Sequence, residues 1–547
     1  MKKLALGATA LVAVAALLLS GCSAGDTGGG GNGTAAADQK IVFAVNEEAD
    51  SLDPGVTSNS FASPVIMNTF EPLVTYDAKN ELVGGLAEKW DVSADGLEYT
   101  FHLRPDLKWS DGSALTSEDF LYSWFRVLDQ DLAGQYANLL TDYIVGAAEF
   151  YAGTGDKEAV GISAPDANTF VVKLKTPTPF FLPMLNMYPF NAVKKDVVEG
   201  NADTWAKKAD TYVSNGAFMV SDMTFGKSIT LVKNPNYWNA DKVSLEEITL
   251  RVIPDQATAL TAFESGQVDG ISAVPTDDLP RLKTDSEDLY TVPQFGTSYF
   301  IMNLTKAPFD NPKVRQALSL AIDRQALIDK VLQSTDKPAT GIVAPGYVLD
   351  GTDFTEDRPD WGITPTGDVE AAQKLLAEAG YPNGEGLPPI ELSYYTDDTV
   401  KKVTEALQQM WKKNLGIDMT ITTQEWKVYY DGIKAGNFDI AAMGWGGDYL
   451  HPMTFLAGWA SGSELNNAKY SNPAFDALLT QINSETDPAK GAELMHQAED
   501  ILIGQDSALI NTYYRARNVM FAPTVEGWTL TPLSTLYFKG AQEVAAQ

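Results

Sequence analysis

Across 547 residues the chain carries one cysteine, Cys22, and three histidines, His102, His451 and His496. A single thiol cannot close an internal disulfide, so no covalent staple supports the fold. The histidines stand far apart, and no two have the spacing with which one helix or turn holds zinc or nickel. The Gly-x-Ser-x-Gly elbow, the His-Glu-x-x-His motif and a phosphate-binding loop are also missing. The sequence therefore implies no metal and no cofactor. Hydrolase chemistry would have to rest on scattered carboxylates or on one of three isolated histidines. Positive charge is scarce as well: 40 Lys and Arg face 72 Asp and Glu, a formal charge of −32. That field repels nucleic acid and anionic headgroups, and its spread along the whole chain reads as a solvated surface.

Long apolar runs are limited to Leu4–Leu19, behind Lys2 and Lys3 and ending in small residues. This is the layout of a secretory signal peptide, and the run is too short to span a membrane. It closes on Leu19-Ser20-Gly21-Cys22, which resembles a bacterial lipobox. The resemblance implies that residues 1–21 are removed and that Cys22 is lipidated, which tethers the chain to the extracytoplasmic face of the bacterial cell membrane. An ordinary cleaved signal with an incidental or buried thiol is the alternative. Residues 22–39 are rich in glycine, alanine and small polar side chains and read as a flexible tether, so the folded body starts near Lys40.

About five hundred residues, 44% of the chain hydrophobic and 10% aromatic, bury a large core divided into two or three domains. Ile41–Val45 reads as a first strand before the Asp53-Pro54 turn. Tyr99, Phe101 and Leu103 alternate as a strand in which His102 faces the surface or a pocket rim. Thr116 with Glu118 and Asp119 opens a helix carrying Phe120, Trp124 and Phe125. Strand signals return at 169–174 and 229–232, and strand and helix alternate over 250–270. After a strand at 299–304, apolar spacing predicts one long amphipathic helix over 312–332. Further helices are expected from Asp368 to Gly380 and over 399–414, then a strand at 419–423. Helix and strand thus alternate as in an α/β sheet protein, interrupted by long insertions, without a short internal repeat.

The block Ala87-Glu88-Lys89-Trp90, Tyr99 to Arg104, Lys108-Trp109-Ser110-Asp111-Gly112 and Asp119-Phe120 resembles the signature of solute-binding proteins of peptide-type ABC importers. The likeness continues through Asn215-Gly216-Ala217, Asn234 to Trp238, Lys306 to Phe309 and Val314 to Arg324. Gln424-Glu425-Trp426 and Phe438 to Tyr449, with Pro452, resemble the oligopeptide-binding branch, solute-binding protein family 5. The resemblance implies an α/β fold of two lobes, periplasmic-binding-protein-like (type II, cluster C), with an extra domain inserted in the first lobe. It implies lobe I at 40–71, 191–296 and 515–547, the inserted domain at 72–190 and lobe II at 297–514. It also implies a monomer that is no enzyme and that hands oligopeptides to the permease and ATPase of an importer, touching membrane only through its lipid.

By the same resemblance Asp448 binds the peptide α-amino group, since a buried ammonium needs a carboxylate; a turn or capping aspartate is the alternative. Asn59 and the Gly444-Trp445-Gly446 stretch would pair with the ligand backbone, where small residues admit a second chain. Trp426, Trp445 and Tyr136 fall where the family lines side-chain pockets, or else pack in the core. Tyr514 and Arg515 complete the expected site. The sequence departs from the family where cations hold the carboxylate of short peptides: Leu332, Val400 and Ala442 stand there. Ligand length should then vary, with Lys337 or Arg515 as a displaced anchor. Dipeptides, murein peptides, oligosaccharides, haem or a nickel chelate remain alternative solutes, a surface adhesin or pheromone receptor an alternative role, and a secreted hydrolase the rival class.

Overall fold

A run such as Ile41-Val42-Phe43-Ala44 can stay apolar on both faces only where both faces are covered, and it does so as the strand Lys40–Val45 between two parallel neighbours, Glu247–Val252 and Gly270–Ile271. The computed structural model describes residues 38–49, 51–57, 59–77, 81–349 and 351–545. The expected signal peptide, Cys22 and the tether up to residue 37 lie outside the described residues.

Lys40–Val45 belongs to a sheet of eleven strands. From one edge the order is Met419–Gln424, Ile390–Tyr395, Ile440–Gly446, Leu289–Met302, Leu509–Phe521, Gly270–Ile271, Lys40–Val45, Glu247–Val252, Ser228–Lys233 and Phe218–Thr224, with Lys337–Pro338 beside Leu509–Phe521. The two ends of this order draw on different parts of the chain. Residues 390–446 build one end and residues 40–45 and 218–271 the other. The long antiparallel strands Leu289–Met302 and Leu509–Phe521 join them.

A second sheet of four antiparallel strands, Ala87–Val92, Glu98–Leu103, Thr169–Lys173 and Ile162–Asp166, forms within the first insertion, the stretch of chain between the large-sheet strands Lys40–Val45 and Phe218–Thr224. Tyr99, Phe101 and Leu103 are buried, as their alternation predicts. The helix Ser117–Val127 packs on this sheet through Phe120 and Trp124, whose rings lie 5.8 and 5.0 Å from Phe170. Its capping box is in place: Thr116 N donates to Asp119 Oδ2 at 2.8 Å.

The single helix predicted over 312–332 is broken. It runs Pro312–Leu320, restarts at Arg324–Ala326 and ends in the wide-turned helix Leu327–Leu332. The carbonyl of Leu320, which a continuing helix would offer to residue 324, instead accepts from Asp368 N at 2.8 Å. Asp323 then caps the new start, accepting from Ala326 N at 2.8 Å. Fully buried Arg324 donates to the Asn511 carbonyl at 2.9 Å. Apolar spacing alone does not register such a jog. The other helices match expectation: Val369–Glu378 is capped by Asp368, and Asp398–Leu415 ends at Gly416 with φ +72°.

Candidate binding cleft

Pairing between the two long joining strands shifts register twice, once between Ser298 and Tyr299 and more widely between Pro293 and Thr297. Pro293 stands opposite Ala516 and Thr297 opposite Tyr514, so Gln294, Phe295 and Gly296 face the single residue Arg515. A proline inside a central strand removes a ladder donor and favours such a bulge. The looped-out backbone is held elsewhere: Phe295 N donates to the Pro532 carbonyl at 2.9 Å, and Gly447 N donates to the Phe295 carbonyl at 2.6 Å. All four residues of this irregularity line a cavity of about 360 Å³. Ser60 and Met67, Tyr136 and Asn186, the 446–448 segment and the loop 532–535 supply other walls, so stretches of chain far apart in sequence converge here.

Asp448 lines this cavity, half-buried, just beyond the strand Ile440–Gly446. Its backbone N donates to Thr454 Oγ1 at 2.9 Å, and its Oδ1 accepts from the Tyr136 hydroxyl at 3.0 Å. Among the described residues no cation lies within ion-pair distance of it. Burial pushes its carboxyl up from 3.8 to about 6, while the Tyr136 hydrogen bond pulls the other way. Burial, reinforced by the neighbouring carboxylate, holds the Tyr347 and Tyr449 hydroxyls well above the usual tyrosine range. Asn186 Oδ1 is buried in the cavity wall and, among the described residues, has no hydrogen-bond partner. The cavity therefore offers an unneutralised carboxylate and an unsatisfied carbonyl, two acceptors suited to a cationic donor.

The remaining expected site residues divide. Arg515 lines the cavity and donates from Nε to Ser298 Oγ at 3.0 Å. Its guanidinium lies against Gly444, where a Cβ would displace it, so the absent side chain leaves room for Arg515 in its present place. Gly446 lines the cavity and has open space over its Cα, whereas a Cβ on neighbouring Gly447 would strike the Tyr347 hydroxyl. The strand Ile440–Gly446 pairs along one side with Leu289–Met302, but on its other side Ile390–Tyr395 pairs only with Ile440 and Ala441. Among the described residues its last part, 443–446, keeps a free strand edge leading to Asp448.

Other expected residues lie elsewhere. Asn59 turns its side chain to its own loop, accepting from Phe61 N at 2.8 Å; its neighbour Ser60 reaches the cavity instead. Trp445 faces a separate small pocket of about 30 Å³ with Met443, Trp459 and Leu465. Trp426 is 48% exposed and stacks on Tyr430 at 5.2 Å. Tyr514 does not line the cavity: its hydroxyl accepts from Gly341 N at 2.9 Å and from Arg358 Nη2 at 2.8 Å, beside the buried Arg358–Glu499 pair. Strand alternation sends Tyr514 and Arg515 to opposite faces, which explains why only one of two adjacent residues reaches the cleft. Lys337 is exposed and pairs through its backbone with Tyr514. Cys22 lies outside the described residues. Sequence reasoning missed Gln294, Phe295, Gly296, Asn186 and the 532–535 loop; the one available signal was Pro293 within a strand-like run.

The histidines serve separate local roles. His102 Nε2 lies 2.7 Å from Asp91 on the four-stranded sheet, and His496 Nε2 lies 2.7 Å from the Phe354 carbonyl. His451 is buried beside Phe180, and burial lowers its pKa from 6.5 to about 3.

Residues 81–467 match the family described as bacterial extracellular solute-binding proteins, family 5 Middle. The chain belongs to this family. The oligopeptide-binding protein OppA of Bacillus subtilis (strain 168) is 35% identical over 542 residues, covering 97% of this chain and 98% of that protein. Among solved structures, a periplasmic oligopeptide-binding protein from Borrelia burgdorferi aligns with TM-score 0.79 and 32% identity over 92% of this chain and all of that one. Haemophilus influenzae OppA in complex with RPPGFSPFR aligns with TM-score 0.78 and 32% identity over 94% of this chain and all of that one. The fold of this family-5 protein is accordingly the two-lobed α/β fold of these binding proteins, and the bulge between the joining strands sits where its two ends meet.

Proposed function

We propose that this protein captures oligopeptides by their free N terminus and main chain and delivers them to an ABC importer, without catalysis. The observation that carries this reading is Asp448, an unpaired carboxylate in a cavity bordered by a free strand edge. A protonated α-amino group entering there gains a charge-assisted hydrogen bond and satisfies a carboxylate that is otherwise costly to keep ionised. The edge of residues 443–446 can extend the sheet by one strand, so affinity comes from backbone hydrogen bonds that do not depend on ligand sequence. The nine-residue peptide in the Haemophilus influenzae relative supports a ligand of this class.

The lobe boundaries expected from the sequence are retained in this proposal: 40–71 with 191–296 and 515–547 as lobe I, 72–190 as the inserted domain, 297–514 as lobe II. A bound peptide touching both lobes favours the closed arrangement, which the importer would recognise. Lipidation at Cys22 would hold a monomer at the extracytoplasmic membrane face within reach of the permease; among the described residues no helix is long and apolar enough to cross a membrane.

Calorimetry with one peptide in free-amine and N-acetylated forms tests the reading. The free amine should bind at least tenfold more tightly, and equal affinity would overturn the proposal. Peptides should also be recovered intact after incubation; cleavage products would restore the hydrolase.

A further inference from the structure

The cavity at Asp448 does not end at the bulge. A second chamber of about 370 Å³ shares Ser60, Gln294 and Ser534 with it, and in this common partition Gln294 Nε2 donates to Ser534 Oγ at 2.7 Å. One neutral hydrogen bond between flexible side chains is a small net contribution and can be exchanged for bonds to a ligand. The first chamber holds the unpaired carboxylate together with Arg515; the second holds cations and a single acid in its wall. Arg517 lines it and is partly buried, donating only to the carbonyls of Ser272 at 3.1 Å and Ser534 at 3.5 Å. No carboxylate among the described residues pairs with Arg517, and burial alone lowers its pKa. Lys402, exposed at the rim, is likewise without an ion-pair partner. The one acid in the wall, Asp336, is already engaged by Ala516 N at 2.8 Å and Ser334 Oγ at 2.6 Å. Leu332, one of the uncharged residues at an expected anchor position, lies in this same wall.

Resting on the oligopeptide reading above, we infer that the chamber beyond Gln294 and Ser534 is a subsite for a carboxylate of the distal part of the ligand, held by Arg517 with Lys402 at the rim. A guanidinium with spare donors in a partly dry wall is matched by a carboxylate in a way that a neutral side chain is not. Ligand charge, rather than fixed length, would then define the second end of the site. The carboxylate can be the peptide C terminus or an acidic side chain.

Calorimetry with four free-amine peptides of equal length separates these sources: C-terminal acid or amide, each with Glu or Gln near the distal end. Peptides carrying a distal carboxylate should bind about tenfold more tightly than the neutral one. The Arg517→Gln variant, its fold checked by thermal unfolding, should remove that advantage while leaving the neutral peptide's affinity within twofold. Lys402→Gln, at an exposed position, should reduce the advantage two- to threefold. If only the acid forms gain, the C terminus is the occupant; if only the Glu forms gain, a side chain is. Equal binding of all four, or an equal loss for all four on Arg517→Gln, overturns the subsite and leaves the N-terminal reading intact. Failure of every peptide to bind overturns both.

Discussion

Asp448 concentrates the chemistry of the cleft, and its raised pKa gives it two opposite consequences. A carboxyl whose folded pKa of about 6 exceeds the ordinary 3.8 holds its proton more tightly in the folded state. Its stabilising contribution is complete below about pH 4 and is lost as pH rises through 6, so at pH 7 the ligand-free protein carries a penalty of up to about 3 kcal/mol. Asp448→Asn, which preserves an acceptor for Tyr136, should therefore raise unfolding stability at pH 7 in denaturant titrations. It should also abolish discrimination for the free amine. Asp448→Ala should cost at least ~2 kcal/mol in peptide affinity, roughly thirtyfold in Kd, by calorimetry. In the unmodified protein, affinity for a free-amine peptide should rise from pH 5 to 7 and fall above about pH 8 as the ligand amine deprotonates. A flat profile would remove Asp448 from the amine site. Tyr514 makes the contrasting case. Tyr514→Phe should lower stability by about 1 kcal/mol through the orphaned Arg358 and Gly341 groups, with no change in Kd.

Elements matter here through how they are tied together. The loop after Lys40–Val45 is fastened to the helix Ser117–Val127 by Asp53, which pairs with both Arg126 terminal nitrogens, Nη1 at 2.9 Å, and accepts from Trp205 Nε1 at 3.2 Å. Both charged side chains are nearly buried, at 13% and 9% exposure, so losing one partner leaves an uncompensated charge. Arg126→Met should destabilise by about 3 kcal/mol in equilibrium unfolding and leave peptide affinity unchanged, because the pair stands outside the cavity. The joining strands show the same principle at the cleft. Their bulge takes three consecutive residues out of the ladder and places them in the cavity wall. The sequence hints at it only through Pro293; the register shift itself depends on pairing with residues more than two hundred positions away.

For the molecule as a whole, contacts from the first insertion to the 448–451 segment close the cleft. Tyr136 reaches Asp448, Phe180 stacks on Tyr449 at 5.3 Å, and the Phe180 ring also lies 5.3 Å from His451. His451 must stay neutral in this interface. With a folded pKa of about 3 against 6.5, its contribution is present above pH 6.5 and is lost progressively as pH falls toward 3. Between pH 6 and 4 this loss opposes the gain from protonating Asp448, so the unmodified protein should show a shallow acid dependence. Replacing His451 by Gln should leave the acid side more stable relative to pH 7 than in the unmodified protein, by about 2 kcal/mol at pH 4.5 in denaturant titrations. An identical pH dependence in both proteins would show that His451 titrates normally.

Local patterns in the sequence were enough for the elements whose causes are local. Alternation at Tyr99, Phe101 and Leu103, the cap at Asp368, and the apolar run Ile41–Ala44 each act within a few residues, and each strand or helix they imply is present. The long motif blocks, whose residues sit within one segment each, were likewise sufficient to indicate the family. Local patterns could not foresee the jog at Leu320, where a residue 48 positions later takes the helix carbonyl, or the opposite fates of Tyr514 and Arg515, or the partition between the two chambers. Those depend on which distant backbone or side chain arrives to complete a hydrogen bond, and only the folded chain brings such partners together.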